Sequence, residues 1–253
     1  MSILVTRPNP AGKALVQRLI NAGQTAFQAP LIEITAGREL PLLNAKLTGL
    51  RAGDCVFLLS KNAVSYANWQ LNQLQQSWPD TLSYYGIGQS TAKDFQHLSS
   101  LPICYPEQGE TSEDLLDLPA LNQVKNKQIL LLRGNGGRDL LATTLSQRGA
   151  IVDECECYQR LFINYSPEDF ALQWEKAQVD TLVVTSGEML QQLFDLVAES
   201  KKAWLLNCHL FVVSERLATI AKTLGWETVT VAESANNDAL FHALIQNLNE
   251  TPI

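Results

Sequence analysis

Two similar stretches of sequence indicate the fold: Ile3-Leu4-Val5-Thr6-Arg7-Pro8 and, later, Ile129-Leu130-Leu131-Leu132-Arg133-Gly134. Each begins with apolar residues of the kind that form a parallel strand buried on both faces. Each continues with a helix-length segment, a helix-ending glycine (Gly23 or Gly149) and a further β-prone run. One unit of strand, Arg, loop, helix, Gly and strand therefore occurs twice.

The same alternation continues along the rest of the chain. Strands are predicted at Ile3–Thr6, Cys55–Leu59, Ser83–Ile87, Ile103–Tyr105, Ile129–Leu132, Ile151–Tyr158, Thr181–Thr185, Leu210–Val213 and Thr228–Val231. Helices are predicted at Ala11–Ala22, Asn62–Gln76, Thr91–Leu98, Ser112–Leu118, Arg138–Arg148, Gly187–Glu199, Arg216–Leu224 and Asp238–Leu248. This order predicts an α/β protein with parallel sheets covered by helices on both faces.

The order of the echoes predicts the domains. Cys55–Ser60 with its helix resembles Thr181–Ser186 with its helix, so the middle of the chain repeats its two ends. We expect two similar parallel-sheet α/β domains: a discontinuous one of residues 1–34 and 164–253, and an inserted one of residues 35–163. The crossings near Leu31–Gly37 and Gln159–Asn164 are β-prone and would pair as a two-stranded β hinge. The alternative is one long doubly wound sheet.

Composition excludes several classes of protein. A formal net charge of -7 argues against general nucleic-acid binding, which needs a basic face. The start of the chain lacks the pattern of a signal peptide, and no apolar run approaches the roughly 20 residues of a membrane span. The five scattered Cys contain no CxxC pair, which favours a reducing cytoplasm.

The usual catalytic sets are missing from the sequence. The three His have no metal-binding spacing, and Cys155-Glu156-Cys157 is more typical of a buried strand face than of a ligand pair. Gly134-Asn135-Gly136-Gly137 follows a strand and suits an anion, yet it is not a complete dinucleotide fingerprint. We therefore expect neither a metal site nor a nucleotide site.

What remains is a set of strand-to-helix turns rich in Ser, Thr, Gly and Arg. In a parallel sheet such turns share the carboxyl edge, where free N–H groups and helix dipoles favour anions. Helix capping explains any single turn equally well, whereas the whole set favours a ligand with many carboxylates. The candidate binding residues are Thr6, Arg7, Ser60, Lys61, Asn62, Thr91, Ser112, Arg133, Arg138, Thr185, Ser186, Ser214 and Arg216.

Tyr158 is the one candidate for chemistry. It stands at the end of a predicted strand, where the inserted domain meets the hinge. A Tyr there is either an ordinary half-buried aromatic residue or a proton donor that presents its hydroxyl to a cleft.

Short motifs spread over about residues 3–245 resemble the uroporphyrinogen-III synthase family. Each is weak alone, and their order and spacing carry the resemblance. They are Ile3-Leu4-Val5-Thr6-Arg7-Pro8, Ser60-Lys61-Asn62-Ala63-Val64, Gly86-Ile87-Gly88-Gln89-Ser90-Thr91-Ala92, Thr111-Ser112-Glu113-Asp114-Leu115-Leu116, Arg133-Gly134 through Gly137-Arg138, Arg148-Gly149-Ala150, Tyr158-Gln159-Arg160, Thr185-Ser186 and Arg216-Leu217-Ala218.

The resemblance implies a fold, a reaction and partners. The fold is two α/β domains joined by a two-stranded β link, with the first domain discontinuous. The reaction is cofactor-independent cyclisation of hydroxymethylbilane, an octacarboxylate, with loss of water and inversion of ring D to give uroporphyrinogen III for heme and siroheme. The expected protein is a cytoplasmic monomer that contacts the upstream deaminase transiently.

The resemblance also assigns residues. Tyr158 becomes the candidate proton donor, Thr91 a cleft-lining hydroxyl, and Ser60, Ser112 and Ser186 carboxylate-binding turns. Ser214-Glu215-Arg216 departs from the Gly-x-x-Thr of some relatives, so Ser214 or Arg216 would replace that Thr. Asn62 stands where some relatives have Arg. The alternatives left open are a non-catalytic two-domain protein that binds a small anion, and an inactive interaction domain.

Overall fold

The computed structural model describes residues 1–250 and contains the predicted alternation of strands and helices. The strands are β1 (Ser2–Val5), β2 (Thr25–Gln28), β3 (Ile32–Ala36), β4 (Cys55–Leu58), β5 (Ser83–Gly86), β6 (Gln128–Gly134), β7 (Ile151–Phe162), β8 (Thr181–Val183), β9 (His209–Val212) and β10 (Val229–Val231). The pairs β1–β2, β1–β8, β8–β9, β9–β10, β4–β5, β4–β6 and β6–β7 are all parallel.

The α-helices connect these strands. They are α1 (Ala11–Asn21), α2 (Leu43–Thr48), α3 (Lys61–Gln73), α4 (Gln89–Ser99), α5 (Ser112–Leu116), α6 (Leu140–Gln147), α7 (Pro167–Lys176), α8 (Gly187–Leu196), α9 (Lys202–Asn207), α10 (Glu215–Leu224) and α11 (Asn237–Glu250). Within residues 1–250, none of them combines the length and the apolarity that a membrane crossing requires.

Contacts divide the chain into two compact units, one of Met1–Ile34 with Leu161–Ile253 and one of Thr35–Arg160. The second boundary falls at 160/161, whereas the sequence placed it at 163/164. Both boundaries lie inside strands, because β3 and β7 each run across one of them. These two strands are neighbours in the second sheet.

The sheet of the discontinuous unit has the order β10-β9-β8-β1-β2. Its strand β1 is buried on both faces, as the unbroken apolar run predicts. Leu4 packs into one core cluster with Leu182 and Leu210, while Ile3 and Val5 pack into the opposite cluster. Alternate residues of a strand face opposite sides, so one strand supplies both cores.

The sheet of the inserted unit has the order β3-β7-β6-β4-β5. Phe57, Ile129 and Leu131 pack with α6 residues Leu141 and Leu145 in one core cluster. The sequence echo is visible in the order of the strands, because β9-β8-β1-β2 in one unit corresponds to β5-β4-β6-β7 in the other. Four parallel strands are therefore arranged alike in the two units.

Several predicted elements need correction. Ile103–Tyr105 is not a strand, since a single bridge joins Cys104 to Tyr85. The flanking Pro102 and Pro106 supply no N–H to extend the pairing. The helix predicted from Arg138 begins at Leu140, because Gly136 and Gly137 take positive φ angles of 79° and 105°.

Three short helices were missed. They are α2, α7 and α9. Only α7 has a clear start signal, a Pro at its first position followed by Glu168 and Asp169.

Candidate functional site

A cleft of about 340 Å³ lies in the inserted unit, at the carboxyl ends of β4, β6 and β7. Five of the predicted site residues line it: Ser60, Ser112, Arg133, Arg138 and Tyr158. Ligands of parallel α/β sheets bind at this edge. The position of the cleft therefore agrees with the topology.

Ser60 links the start of a helix to Tyr158. It has extended backbone angles, and its Oγ accepts a hydrogen bond of 3.1 Å from the Ala63 N–H as the N-cap of α3. The same hydroxyl donates a hydrogen bond of 3.1 Å to the Tyr158 Oη. The phenol oxygen thus accepts a hydrogen bond from Ser60, which leaves the phenol hydrogen available to a group in the cleft.

Tyr158 is almost fully buried, with 4% of its surface exposed. Its ring lies nearly parallel to that of Tyr66, at an interplanar angle of 19° and a centroid distance of 6.2 Å. The Arg160 guanidinium lies 5.9 Å from the ring centroid, within the range of a cation–π contact. The phenol is therefore an apolar-packed ring with its hydroxyl at a polar cleft.

The glycine-rich turn after β6 forms one wall. Asn135 fastens it to β7, because its side chain accepts a bond of 2.6 Å from the Arg160 N–H and donates one of 3.2 Å to the Arg160 carbonyl. The Asn135 N–H also donates to the Tyr158 carbonyl at 3.0 Å. Arg133 closes the turn by donating to the Gly136 carbonyl at 2.8 Å. The turn is thus tied to the strand that carries Tyr158.

Both predicted arginines of this turn have acidic partners. Arg133 donates to the two Glu154 carboxylate oxygens at 2.9 and 3.1 Å, and its side chain is 12% exposed. Arg138 makes a bidentate pair with Glu113 at 2.5 and 2.6 Å. The Arg138 guanidinium lowers the pKa of Glu113 to about 2. A carboxylate ligand would have to compete with Glu113 for Arg138.

The wall opposite the turn is the start of α5. Thr111 and Asp114 form a capping box, in which the Asp114 N–H donates to the Thr111 hydroxyl at 3.2 Å and the Thr111 N–H to Asp114 at 2.9 Å. Ser112 follows as the first residue of α5 and is half-buried. Glu110 accepts a bond of 3.3 Å from the Ser90 N–H at the start of α4. An internal carboxylate thus already lies at that helix N-terminus.

Three other candidates of this unit do not line the cleft. Lys61 is exposed and pairs with Asp94 at 3.4 Å. Asn62 is half-buried on α3, and Thr91 is 5% exposed on α4. Their side chains lie beside the turns that the sequence indicated, without reaching the cleft surface.

The remaining candidates lie in the discontinuous unit, at the ends of the neighbouring strands β1, β8 and β9. Thr6 is fully buried and donates its hydroxyl to the Val183 carbonyl at 2.8 Å. Arg7 donates to Asn237 Oδ1 at 2.5 Å, and burial lowers its pKa. Both side chains therefore already hydrogen-bond to other residues of the fold.

The later turns of this unit cap helices. The Ser186 Oγ accepts from the Met189 N–H at 3.2 Å, and the Ser214 Oγ accepts from the Leu217 N–H at 3.4 Å. Thr185 is half-buried and Arg216 is exposed. Capping is therefore a real role of these serines, and their hydroxyl hydrogens stay available for a further bond.

Larger concavities lie elsewhere. A groove of about 600 Å³ along α8 is lined by Glu188 and Asp195 together with amide and apolar side chains, and contains none of the predicted site residues. Its two carboxylates do not suit an anionic ligand. The smaller cleft beside Tyr158 is the stronger candidate because it gathers polar and cationic groups.

The sequence missed two residues that line this cleft, Asn135 and Arg160, and it missed Glu113, the partner of Arg138. Arg160 is exposed at the rim and makes no ion pair with any carboxylate of residues 1–247. It stands two positions after Tyr158, a spacing that places two strand residues on one face. That spacing was the available signal.

The chain is similar in sequence to known proteins. The family model described as uroporphyrinogen-III synthase HemD matches residues 13–242. A uroporphyrinogen-III synthase of Proteus mirabilis is 71% identical over 193 residues, which are 76% of this chain and 97% of that protein. A uroporphyrinogen-III synthase of Escherichia coli K12 is 49% identical over 245 residues, 96% of this chain and 100% of that protein.

A solved structure has the same fold. A mutant uroporphyrinogen III synthase of Thermus thermophilus superposes with a TM-score of 0.67 at 16% identity and covers 99% of this chain and 100% of its own. The family match spans most of the sequence, and the Escherichia coli relative aligns over its full length. The chain therefore belongs to the uroporphyrinogen-III synthase family.

Proposed function

We propose that this chain converts hydroxymethylbilane to uroporphyrinogen III, with loss of water and inversion of ring D. Its place in the family supports the reaction. The observation that carries the proposal is the Ser60–Tyr158 hydrogen bond at the floor of a polar cleft. This pair supplies a proton donor where the topology places a ligand.

Tyr158 would act as the general acid. The C–O bond of the terminal hydroxymethyl group breaks, the departing hydroxide takes the phenol proton, and water leaves with formation of an azafulvene. The Ser60 hydroxyl donates to the phenol oxygen and so stabilises the phenolate that forms. The proton that ring closure releases restores the phenol.

The carbon–carbon steps need positioning more than a nucleophile, because the pyrrole rings are themselves electron-rich. The substituted carbon of ring D attacks the azafulvene, and the spiro intermediate fragments and closes again with ring D inverted. Holding the reacting carbons in contact is a large source of rate enhancement. The protein's part is therefore to fold the bilane.

The protein would hold the bilane in its folded conformation by binding the eight carboxylates. Arg160 at the rim carries a positive charge without an acidic partner among residues 1–247 and would anchor one carboxylate beside Tyr158. Ser112, at the start of the helix that Thr111 caps, would receive another. In the discontinuous unit, the capped turns at Ser186 and Ser214, with Arg216, are further candidates for binding carboxylates. Arg133 and Arg138 would contribute after exchange of their internal partners.

We infer further that the two compact units are the two domains of the protein, the first one discontinuous. The contact boundaries at 34/35 and 160/161 support this division. We also propose that the enzyme works as a cytoplasmic monomer that receives the bilane from the upstream deaminase. The five unpaired cysteines are consistent with a reducing compartment.

The deciding experiment is an isomer assay. The purified protein is incubated with hydroxymethylbilane, and the oxidised products are separated by chromatography beside a sample without protein. We expect mainly the type III isomer with protein and the type I isomer without it. Only type I product in both samples would refute the enzyme, and retained binding of the bilane would then favour the anion-binding alternative.

A further inference from the structure

We propose that Gly134 is a positioning residue for Tyr158: a bulge in β7 places the phenol ring over Gly134, and the missing side chain there sets where the Tyr158 hydroxyl lies. The inference rests on the proposed function, since it assigns Gly134 to the same proton transfer.

The bulge is visible in the register of β6 and β7. Leu132 lies opposite Cys155 and Arg133 opposite Glu156, but Gly134 lies opposite Tyr158. Cys157 is therefore the extra residue. A shift of one residue moves the following side chains to the other face of the sheet, and bulges of this kind redirect side chains beside functional sites.

A backbone hydrogen bond on one side holds the extra residue, and the pairing with β6 resumes on the other side. Cys157 is fully buried, and its carbonyl accepts a bond of 3.0 Å from the Gly37 N–H. The Tyr158 carbonyl then accepts the bond of 3.0 Å from the Asn135 N–H on the β6 side. Both are hydrogen bonds between backbone groups, so the backbone of the sheet sets the orientation of Tyr158.

Gly134 provides the space for the redirected ring. A Cβ at this position would lie 2.5 Å from Cζ, 2.7 Å from Cε2 and 2.9 Å from Cε1 of Tyr158. These atoms form the end of the ring that carries the hydroxyl. Gly134 does not take a positive φ, unlike Gly136 and Gly137. Its backbone suits any residue, so the reason for a glycine is the ring.

The ring cannot simply turn away from a new Cβ. It is almost fully buried, stacks on Tyr66 and accepts the Ser60 hydrogen bond. An alanine at position 134 therefore displaces the phenol oxygen from Ser60 and from the reacting bond. A misplacement near 1 Å in an active site lowers the rate by about 10²-fold.

The test compares Gly134→Ala with Gly49→Ala, the same change in the same unit. A Cβ at Gly49 would meet its nearest atom, the Ala45 carbonyl oxygen, at 3.4 Å. We expect Gly134→Ala to lower kcat about 10²-fold with KM nearly unchanged, and Gly49→Ala to match the wild type. In the Tyr158→Phe background, Gly134→Ala should lower kcat no further. A full multiplicative loss there would overturn the proposal.

A spectroscopic measurement tests the position of the ring independently of activity. In protein labelled with ¹³C-tyrosine, the Tyr158 ring signal is assigned by its loss in Tyr158→Phe. We expect that signal to move in Gly134→Ala and to stay in place in Gly49→Ala; an unmoved signal would refute the positioning role. If the wild type makes no type III isomer, the proposed function fails while this measurement still decides the role of Gly134.

If Gly134→Ala does not fold, a double variant that also removes the Tyr158 ring tests the proposal. The three nearest atoms to the added Cβ all belong to Tyr158. The double variant Gly134→Ala with Tyr158→Ala should therefore fold with the Tm of Tyr158→Ala alone. A further drop in Tm in the double variant would show that the clash lies elsewhere and would overturn the proposal.

Discussion

Ser60 and Tyr158 lie 98 positions apart in the chain, and their hydroxyl oxygens are 3.1 Å apart. Parallel pairing of β4 with β6 and of β6 with β7 brings them together. The pair joins the N-cap of α3 to a buried phenol. One hydroxyl therefore stabilises a helix and orients a candidate proton donor.

Replacing Tyr158 by Phe tests the donor. The change keeps the ring and removes the hydroxyl, so we expect kcat to fall by about 10²- to 10⁴-fold while KM changes little. Tyr165→Phe is the matched control, because it removes a hydroxyl that donates to the Pro30 carbonyl in the other unit. Near-normal turnover of Tyr158→Phe in steady-state assays would assign the proton to another group.

Replacing Ser60 separates capping from catalysis. Ser60→Ala removes the N-cap of α3, which costs about 1 kcal/mol of the free energy of unfolding. It also removes the hydrogen bond to Tyr158, so kcat should fall. Ser60→Asn keeps an N-cap acceptor and should recover stability in urea unfolding. If Ser60→Ala lost stability but kept wild-type kcat, the link to Tyr158 would have no part in the reaction.

Arg160 should determine substrate affinity. Because a hydrogen bond to a charged group contributes about 1.5–3 kcal/mol, we expect Arg160→Gln to raise KM roughly 10- to 100-fold with little change in kcat. Arg51→Gln is the matched control: the same charge is lost from an exposed residue just before β4, at the opposite end of the strand from the cleft. Equal KM values for both variants would exclude an anchoring role.

Glu113 gives a prediction on pH. Its pKa lies near 2 instead of its ordinary 4.5, chiefly because Arg138 donates to it. A carboxylate with a lowered pKa stabilises the fold above its unfolded pKa, and this contribution disappears as the pH falls from about 4.5 toward 2. The stability difference between wild type and Glu113→Gln should therefore vanish toward pH 2. A constant difference across this range in chemical unfolding would contradict the pairing.

The same residue gives a prediction on binding. At neutral pH Glu113→Gln releases Arg138 for the carboxylates of the bilane, so we expect KM to fall. Glu107→Gln removes an equal charge from an exposed residue that does not line the cleft and should leave KM unchanged. An unchanged KM in Glu113→Gln would show that Arg138 does not bind the substrate.

Local sequence patterns predict the α/β class, the repeated strand-to-helix unit and the helix caps at Ser60, Thr111, Ser186 and Ser214. These depend on hydrophobic periodicity and on turn chemistry, which act over a few residues. The predicted strand at Ile103–Tyr105 was wrong because an apolar run flanked by prolines offers too few N–H groups for a ladder.

The surroundings of Tyr158 depend on contacts between distant parts of the chain. The carboxylates that accept hydrogen bonds from Arg133 and Arg138 lie 21 and 25 positions away in sequence, and no local pattern indicates them. The extra residue Cys157 turns Tyr158 over Gly134, and only the pairing of β6 with β7 reveals it. Contacts between distant residues follow from strand order and register, so they become visible when the sheet has formed.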